Sequence, residues 1–372
     1  MRIFFIIFVL ATIFGTSTRA EVFTTQHYKL RLVTLASDLS HPWGLAFLPS
    51  GQMIVTERNG NLRIVSSKGH VSKPLLGVPG VYSGGQGGLL DVILDPNFAQ
   101  NNTIYISYAE QGPGGAGTAV ASAQLFAAEN RISNVKVIFQ QRPKTSGGRH
   151  FGSRLVFGRD GNLFITTGDR GERHRVQDFS INRGQVIRIK PDGSIPPGNP
   201  FVGKNGYRPE VWSYGHRNPQ GAALHPDTGE LWTVEHGARG GDEVNIPRAG
   251  RNYGWPVIAY GRHYSGGIIG EGTHKVGMEQ PQVYWDPSIA PSGMAFYTGD
   301  VFPKWKGNLF IGALKYQLLA RLTLDGETVL GEERILEGLD QRIRDVRQGP
   351  KGYLYILTDS DDGQIIRIEP AN

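Results

Sequence analysis

The stretch Phe157-Gly158-Arg159-Asp160-Gly161-Asn162-Leu163-Phe164-Ile165-Thr166 sets the reading of the whole chain. An apolar residue leads into an Asp-Gly turn, and a short β-rich run follows. The same pattern surrounds it on both sides. Upstream it reads Phe47-Leu48-Pro49-Ser50-Gly51-Gln52-Met53-Ile54-Val55-Thr56, then Leu94-Asp95-Pro96 leading to Thr103-Ile104-Tyr105-Ile106-Ser107. Downstream it returns as Leu224-His225-Pro226-Asp227-Thr228-Gly229-Glu230-Leu231-Trp232-Thr233. A degenerate copy is Phe302-Pro303-Lys304-Trp305-Lys306-Gly307-Asn308-Leu309-Phe310-Ile311, and the last is Gly349-Pro350-Lys351-Gly352-Tyr353-Leu354-Tyr355-Ile356-Leu357-Thr358. The β-rich run lacks strict alternation, as a strand buried on both faces does. A second run follows some copies: Asn61-Leu62-Arg63-Ile64-Val65, Gln185-Val186-Ile187-Arg188-Ile189 and Gln364-Ile365-Ile366-Arg367-Ile368. Its Arg among apolar residues fits an outer strand.

Six copies give roughly one unit per 59 residues, the size of a four-stranded blade with loop insertions. One blade cannot bury both faces, whereas six in a ring can. The expected fold is all-β, a single six-bladed β-propeller over residues 21–372. A pair of β-sandwiches is the rival, and a parallel β-helix has too short a period. Composition agrees. Among 372 residues there are 51 Gly and 22 Pro, so turns are frequent, while 17 Phe, 14 Tyr and 6 Trp supply a core and exclude a disordered chain. With no Cys, disulfide frameworks, thiolate metal sites and a Cys nucleophile are excluded.

Residues 1–20 read as a cleaved signal peptide: Arg2, an apolar run from Ile3 to Phe14, then Thr18-Arg19-Ala20 with small residues at the peptidase positions. The run is too short to span a bilayer, which needs roughly 20 residues. The expected location is periplasmic, as a secreted protein without stable membrane insertion. The formal charge of +6 falls to +4 once Arg2 and Arg19 are removed. Its basic residues are scattered, with no run or aromatic-interleaved stripe, so no nucleic acid partner is expected. A modest positive excess suits an anionic small ligand.

In a propeller, function sits in the loops at one mouth of the channel. Several loops hold polar residues that a turn does not need. Gly84-Gly85-Gln86-Gly87-Gly88 lets the backbone approach a ligand, or is a plain turn. His150, in Gly147-Gly148-Arg149-His150-Phe151-Gly152, is a candidate general base, and Asp169 in the next loop could fix its tautomer. Arg217-Asn218, in a Pro/Gly turn, suits a carboxylate or quinone oxygen. The segment from Glu235 to Asn245 offers acidic side chains and exposed carbonyls, a hard-oxygen set for Ca²⁺ without EF-hand spacing. Lys315, Arg342 and Arg344 could clamp a polyanionic cofactor together with Arg217, the last two sharing one strand face.

Taken in order, His41-Pro42-Trp43-Gly44-Leu45-Ala46-Phe47, Gly85-Gln86-Gly87-Gly88-Leu89-Leu90-Asp91, Arg217-Asn218-Pro219-Gln220-Gly221, Gly241-Asp242-Glu243 and Asn252-Tyr253-Gly254-Trp255-Pro256 carry a resemblance. The chain resembles the soluble pyrroloquinoline-quinone-dependent sugar dehydrogenases of the glucose/sorbosone type, the periplasmic aldose sugar dehydrogenases in particular. The resemblance implies a six-bladed propeller that oxidises aldoses at C1 and passes electrons to an external acceptor. It implies pyrroloquinoline quinone (PQQ) and Ca²⁺ as cofactors, His150 as general base and Asp169 as its orienting carboxylate. Gln86, Arg217, Asn218, Tyr264, Lys315, Arg342 and Arg344 would contact the quinone. The carbonyls of Gly237 and Ala238 would bind the Ca²⁺ that bridges to it, and Glu243 with the Tyr253 carbonyl a second, structural Ca²⁺. In two places the chain departs from the wider family: Arg149 stands where the glucose dehydrogenases carry Asp, and Ala238 where they carry Pro. Two other functions fit the fold, a metal-dependent propeller lactonase and a non-catalytic binding propeller.

Overall fold

The computed structural model describes residues 22–371. The expected signal peptide lies outside them. Six antiparallel sheets form, and each repeat copy becomes the hairpin between the first two strands of one sheet. Val22–Thr24 (β1) and Lys29–Leu39 (β2) come first. The first blade is Pro42–Phe47 (β3), Met53–Glu57 (β4) and Leu62–Val65 (β5). The second is Leu89–Leu94 (β6), Thr103–Gly112 (β7), Gly115–Phe126 (β8) and Arg131–Gln140 (β9). The third is Gly152–Phe157 (β10), Leu163–Thr167 (β11), Gln185–Ile189 (β12) and Val211–Tyr214 (β13). The fourth is Pro219–Leu224 (β14), Leu231–Glu235 (β15), Asp242–Asn245 (β16) and Val283–Trp285 (β17). The fifth is Pro291–Phe296 (β18), Leu309–Ala313 (β19), Leu319–Asp325 (β20) and Thr328–Ile335 (β21). The sixth joins Ile343–Gln348 (β22), Leu354–Thr358 (β23) and Gly363–Pro370 (β24) to β2 and β1, so both ends of the described chain close one sheet.

The innermost strands β3, β6, β10, β14, β18 and β22 adjoin one another in a closed ring, giving a six-bladed β-propeller. Strands β4, β11, β15, β19 and β23 are buried along their whole length, as their unbroken apolar runs require. The Arg-bearing runs differ from expectation. Strands β12 and β24 lie third in their sheets, each flanked by strands on both sides, and only β5 is an edge. The interior positions tolerate the cations because Arg188 pairs with Asp160 and Arg367 with Glu369, and on the edge Arg63 pairs with Glu57.

In three repeat copies the closing hydroxyl joins blade to blade. Thr56 donates to the Leu90 carbonyl, Ser107 to that of Ser153 (2.6 Å), and Thr166 to that of Pro219 (2.8 Å). The degenerate fifth copy has no hydroxyl there, and Ser292 on the inner strand donates to Ile343 instead (2.6 Å). On the axis, Asp91 accepts Arg154 at 3.0 Å and Arg347 at 2.7 Å, and Arg347 also reaches Asp345 at 2.7 Å. These side chains come from blades two, three and six and are largely buried. Each charge is compensated, which the low interior dielectric demands.

All six inner strands carry a β-bulge within their first residues, at the same end of the ring. Bulges bend a strand and re-aim its side chains. Residues just before an inner strand and just after a second strand therefore converge on that mouth.

Removing one partner of the axial network leaves buried charges uncompensated. Asp91→Ala is expected to cost about 3–5 kcal/mol of stability. Equilibrium unfolding in urea checks this, and an unshifted midpoint would show that the network does not hold the ring.

Candidate active site

Every residue expected at the site lies at the bulged mouth or on the loops above it. Gln86, His150, Arg217 and Arg342 precede inner strands, while Asp169, Gly237 and Lys315 follow second strands. A cleft of about 540 Å³ there is lined by Gln86, His150, Asp169, Arg217, Ala238 and Tyr264, and also by Arg149, Arg173, Trp255 and His263.

The loops bring His150 to this position by close backbone packing. Gly85 has φ +62° and lies so near the Gly148 carbonyl that a Cβ would stand 2.4 Å from it. At Gly168 a Cβ would fall 1.9 Å from the His150 carbonyl, so only glycine fits there. His150 itself takes the left-handed conformation, φ 57°, which few non-glycine residues adopt. Its N–H donates to Gln86 Oε1 at 2.7 Å. Asn218, buried beneath, accepts the Gly152 N–H at 3.1 Å and supports the same turn.

His150 Nδ1 lies 2.6 Å from Asp169 Oδ1. The same oxygen accepts the Gly171 N–H at 2.6 Å, and Oδ2 accepts the Trp255 indole N–H at 2.9 Å. Burial alone would raise the Asp169 pKa, but the His150 hydrogen bond and the charges of His150 and Arg217 hold it below the usual carboxylate range. A carboxylate can only accept, so Nδ1 of His150 carries the hydrogen and Nε2 keeps its lone pair. Burial pulls the His150 pKa down, and Arg217 and Arg149 add to this against the opposing Asp169 bond. The imidazole is thus neutral near pH 7, with one oriented acceptor.

The cationic sector is more self-compensated than expected. Arg342 and Arg344 both donate to Asp359 Oδ2, at 3.2 and 2.7 Å, and His41 holds the other oxygen at 2.8 Å. Arg344 also reaches Gln220 at 2.9 Å. Arg342 donates to the Leu314 carbonyl, which places it beside exposed Lys315. Arg217 holds the carbonyls of His236 and Gly237. Burial, then Arg217, Arg344 and His150, push the His236 pKa down to about 3, so this histidine is neutral and stands among the three. Buried nitrogens of Arg217 (Nε), Arg344 (Nε) and His236 (Nε2) have no partner. Orphaned groups of this kind at a mouth are what a polar, anionic ligand would satisfy.

The four residues expected at metal sites line one cavity of about 20 Å³, together with Glu235 and Gly241. That is room for a single water or ion. Burial pushes the Glu243 carboxyl up to about 8, and the Glu235 charge adds to it. Glu235 is in turn gripped by His216 (2.8 Å), the Arg217 N–H (2.5 Å) and Asn245 (3.1 Å). The Tyr253 hydroxyl is engaged by Ile246 and Arg248, so only its carbonyl is available to a cation. Among the described residues no three His, Asp or Glu side chains gather as a metal site. A cation here would draw on two carboxylates and on carbonyls, a donor set that fits Ca²⁺. Ala238 lines both this cavity and the cleft.

Sequence reasoning did not assign Glu235, Trp255, His236 or Asp359. Trp255 stands 86 positions from Asp169, and no local spacing foretells that bond.

The comparisons place the chain among known relatives. The sequence matches the Glucose / Sorbosone dehydrogenase family over residues 39–367. The chain is 48% identical to the aldose sugar dehydrogenase YliI of Escherichia coli over 342 residues, 91% of this chain and 92% of that one. The crystal structure of the soluble aldose sugar dehydrogenase from Escherichia coli in the apo-form superposes with a TM-score of 0.90 at 48% identity, covering 92% of this chain and 100% of the other. The PQQ-bound aldose sugar dehydrogenase from Streptomyces coelicolor gives 0.75 at 29% identity, covering 92% and 99%. A sugar-oxidising oxidoreductase is the class that fold, site and relatives define. The chain belongs to the glucose/sorbosone dehydrogenase family.

The Glu243 carboxyl gives a test. Without metal, the folded state keeps a proton that the unfolded chain releases near pH 4.5. Stability is then expected to fall as pH rises from 4.5 through about 8. Adding Ca²⁺ should restore it by ~2.7 kcal/mol at a hundred times the dissociation constant. Glu243→Gln should flatten the pH slope and abolish the Ca²⁺ response. Calorimetric melting at pH 5 and pH 8 reads both, and a Tm indifferent to Ca²⁺ at pH 8 would count against the site.

Proposed function

We propose that this protein oxidises aldoses at C1 to the lactone, using PQQ and Ca²⁺ and passing the electrons to an external acceptor. The observation that carries this is a neutral, Asp169-oriented His150 facing a cleft whose lining includes Arg217, with a buried Nε that has no partner. When bound, the Ca²⁺-activated quinone supplies the two-electron acceptor for the hydride that leaves C1. His150 Nε2 accepts the proton of the anomeric hydroxyl. Asp169 stabilises the imidazolium that results and holds its ring in place. Trp255 and the Gly171 N–H keep Asp169 ionised and fixed. Arg217, Lys315, Arg342 and Arg344, with Gln86, Asn218 and Tyr264, would hold the quinone; its carboxylates match the guanidiniums. The Gly237 and Ala238 carbonyls would hold one Ca²⁺ on the cleft side, where Ala238 lines both spaces, and Glu243 with the Tyr253 carbonyl would hold the structural Ca²⁺ in the small cavity. Residues 1–20 would direct export to the periplasm, leaving residues 21–372 as the propeller domain.

A metal-dependent lactonase would need free carboxylates pointing inward. Asp91 and Asp345 do point inward, but Arg154 and Arg347 neutralise them. A purely binding propeller would give the His150–Asp169 pair no task.

Purified protein given Ca²⁺ and PQQ should bleach an artificial dye when an aldose is added. Lactone hydrolysis without quinone would favour the lactonase, and neither activity the binder. His150→Ala should still bind PQQ but lose turnover by at least ~10²-fold. Near-normal turnover in that variant would remove His150 from the mechanism.

A further inference from the structure

The cleft around His150 has an uneven charge. Its lining holds three guanidiniums, Arg149, Arg173 and Arg217, and one carboxylate, Asp169. Asp169 is buried and consumed by His150, Trp255 and Gly171. Arg217 is buried and held by two carbonyls. Arg149 and Arg173 are different. Both are exposed, and neither has a carboxylate within ion-pair distance among the described residues. Glu172, next to Arg173 in sequence, is taken by Thr145 at 2.5 Å and Arg183 at 3.0 Å.

These two cations are positioned nonetheless. The Arg149 guanidinium lies across Gly171, so close that a Cβ there would stand 2.6 Å from Nε. Gly171 is the residue whose N–H holds Asp169, so Arg149 packs on the turn that fixes the His150–Asp169 pair. Arg173 donates to His263 Nδ1 at 2.8 Å. An Arg can only donate, so Nδ1 accepts and His263 Nε2 carries the hydrogen. The rim thus offers the exposed Arg149 guanidinium, the Arg173 nitrogens that His263 does not use, an imidazole N–H and the exposed Tyr264 phenol.

We infer that this cleft selects aldoses bearing an anionic group at the end remote from C1, with Arg149 and Arg173 as the residues that recognise it. The inference rests on the dehydrogenase reading above. A sugar with its anomeric hydroxyl at His150 leaves its other end in the same cleft, whose remaining walls carry these guanidiniums. A carboxylate or a phosphate monoester there gains charge-assisted, bidentate hydrogen bonds, and a neutral hydroxymethyl group does not. Both chemistries share the anionic oxygen pair, so a uronate and an aldose 6-phosphate are the two probes.

The test compares D-glucuronate, D-glucose 6-phosphate and D-glucose as substrates of the Ca²⁺- and PQQ-loaded protein. At least one anionic sugar is expected to exceed glucose in kcat/KM by about tenfold at low salt. The advantage should shrink in 0.5 M salt, because both guanidiniums are exposed and screened. Arg149→Gln with Arg173→Gln should erase it through KM, with any change in kcat shared equally by glucose and the anionic sugars and PQQ affinity kept within about twofold. Whichever anion loses its advantage identifies the group recognised. Equal or better use of glucose by the wild type overturns the inference, as does a preference that survives in the double variant. A double variant that loses PQQ affinity instead would assign these arginines to the cofactor and also overturns it. Binding separates this from the dehydrogenase reading. Saturation-transfer NMR on the purified protein without quinone should detect glucuronate or glucose 6-phosphate binding that the double variant lacks. If no aldose is oxidised yet that binding is seen and lost, the dehydrogenase reading fails and the anion site stands. If glucose is oxidised and no anionic sugar binds, the reverse holds.

Discussion

Closure of the ring around its axis is the constraint on which everything else depends. The residues at the mouth come from different blades: His150 and Asp169 from the third, Arg217 and Glu235 from the fourth, Arg342, Arg344 and Asp359 from the sixth. No single blade contains a working arrangement. Their mutual distances are only as exact as the contacts between neighbouring sheets. Those contacts are polar near the centre, where Asp91, Arg154, Asp345 and Arg347 bind three blades together. Farther out they are apolar, and the large clusters draw side chains from two adjacent blades, as Trp232 and Phe296 do. A buried, fully compensated charge network of this kind specifies one arrangement of its parts more than it adds stability.

The same logic explains the catalytic pair. Asp169 receives three donors, from His150, Gly171 and Trp255. The first two belong to the third blade, and the last to the long connection between β16 and β17 that folds over the mouth. One carboxylate therefore ties the base to the loop that walls the cleft. The local backbone pays a conformational cost at His150, whose left-handed φ is held by the Gln86 bond and the Asn218 support below.

Much of this was legible in the sequence, for identifiable reasons. Hairpins between first and second strands carry fixed turn chemistry and unbroken apolar runs, so six copies stood out and the blade number followed. Third and fourth strands were harder. Fourth strands are half exposed and vary with their partners, so β13 and β17 carry no signature, and the arginines of the third strands β12 and β24 suggested edges where there are none. The polar loops pointed to His150, Asp169, Arg217 and the acidic segment near Glu243, because glycine-rich turns rarely need such side chains. What sequence could not show was sharing. Asp359 is divided between two arginines and a histidine from opposite ends of the chain, and Glu235 and Glu243 meet across paired strands. The bulges that aim all six inner strands at one mouth leave no mark in composition, since they are set by sheet register.

The pairing of β2 with β24 has a consequence for the birth of the molecule. The ribosome makes Lys29–Leu39 early, yet its hydrogen-bonding partner is Gly363–Pro370. At ordinary elongation speeds the interval between them is on the order of tens of seconds. Throughout that time an eleven-residue strand waits with an unsatisfied edge. The circle thus cannot close until Gly363–Pro370 has emerged, and the nascent polypeptide needs either a guardian for that edge or a delay in collapse until then.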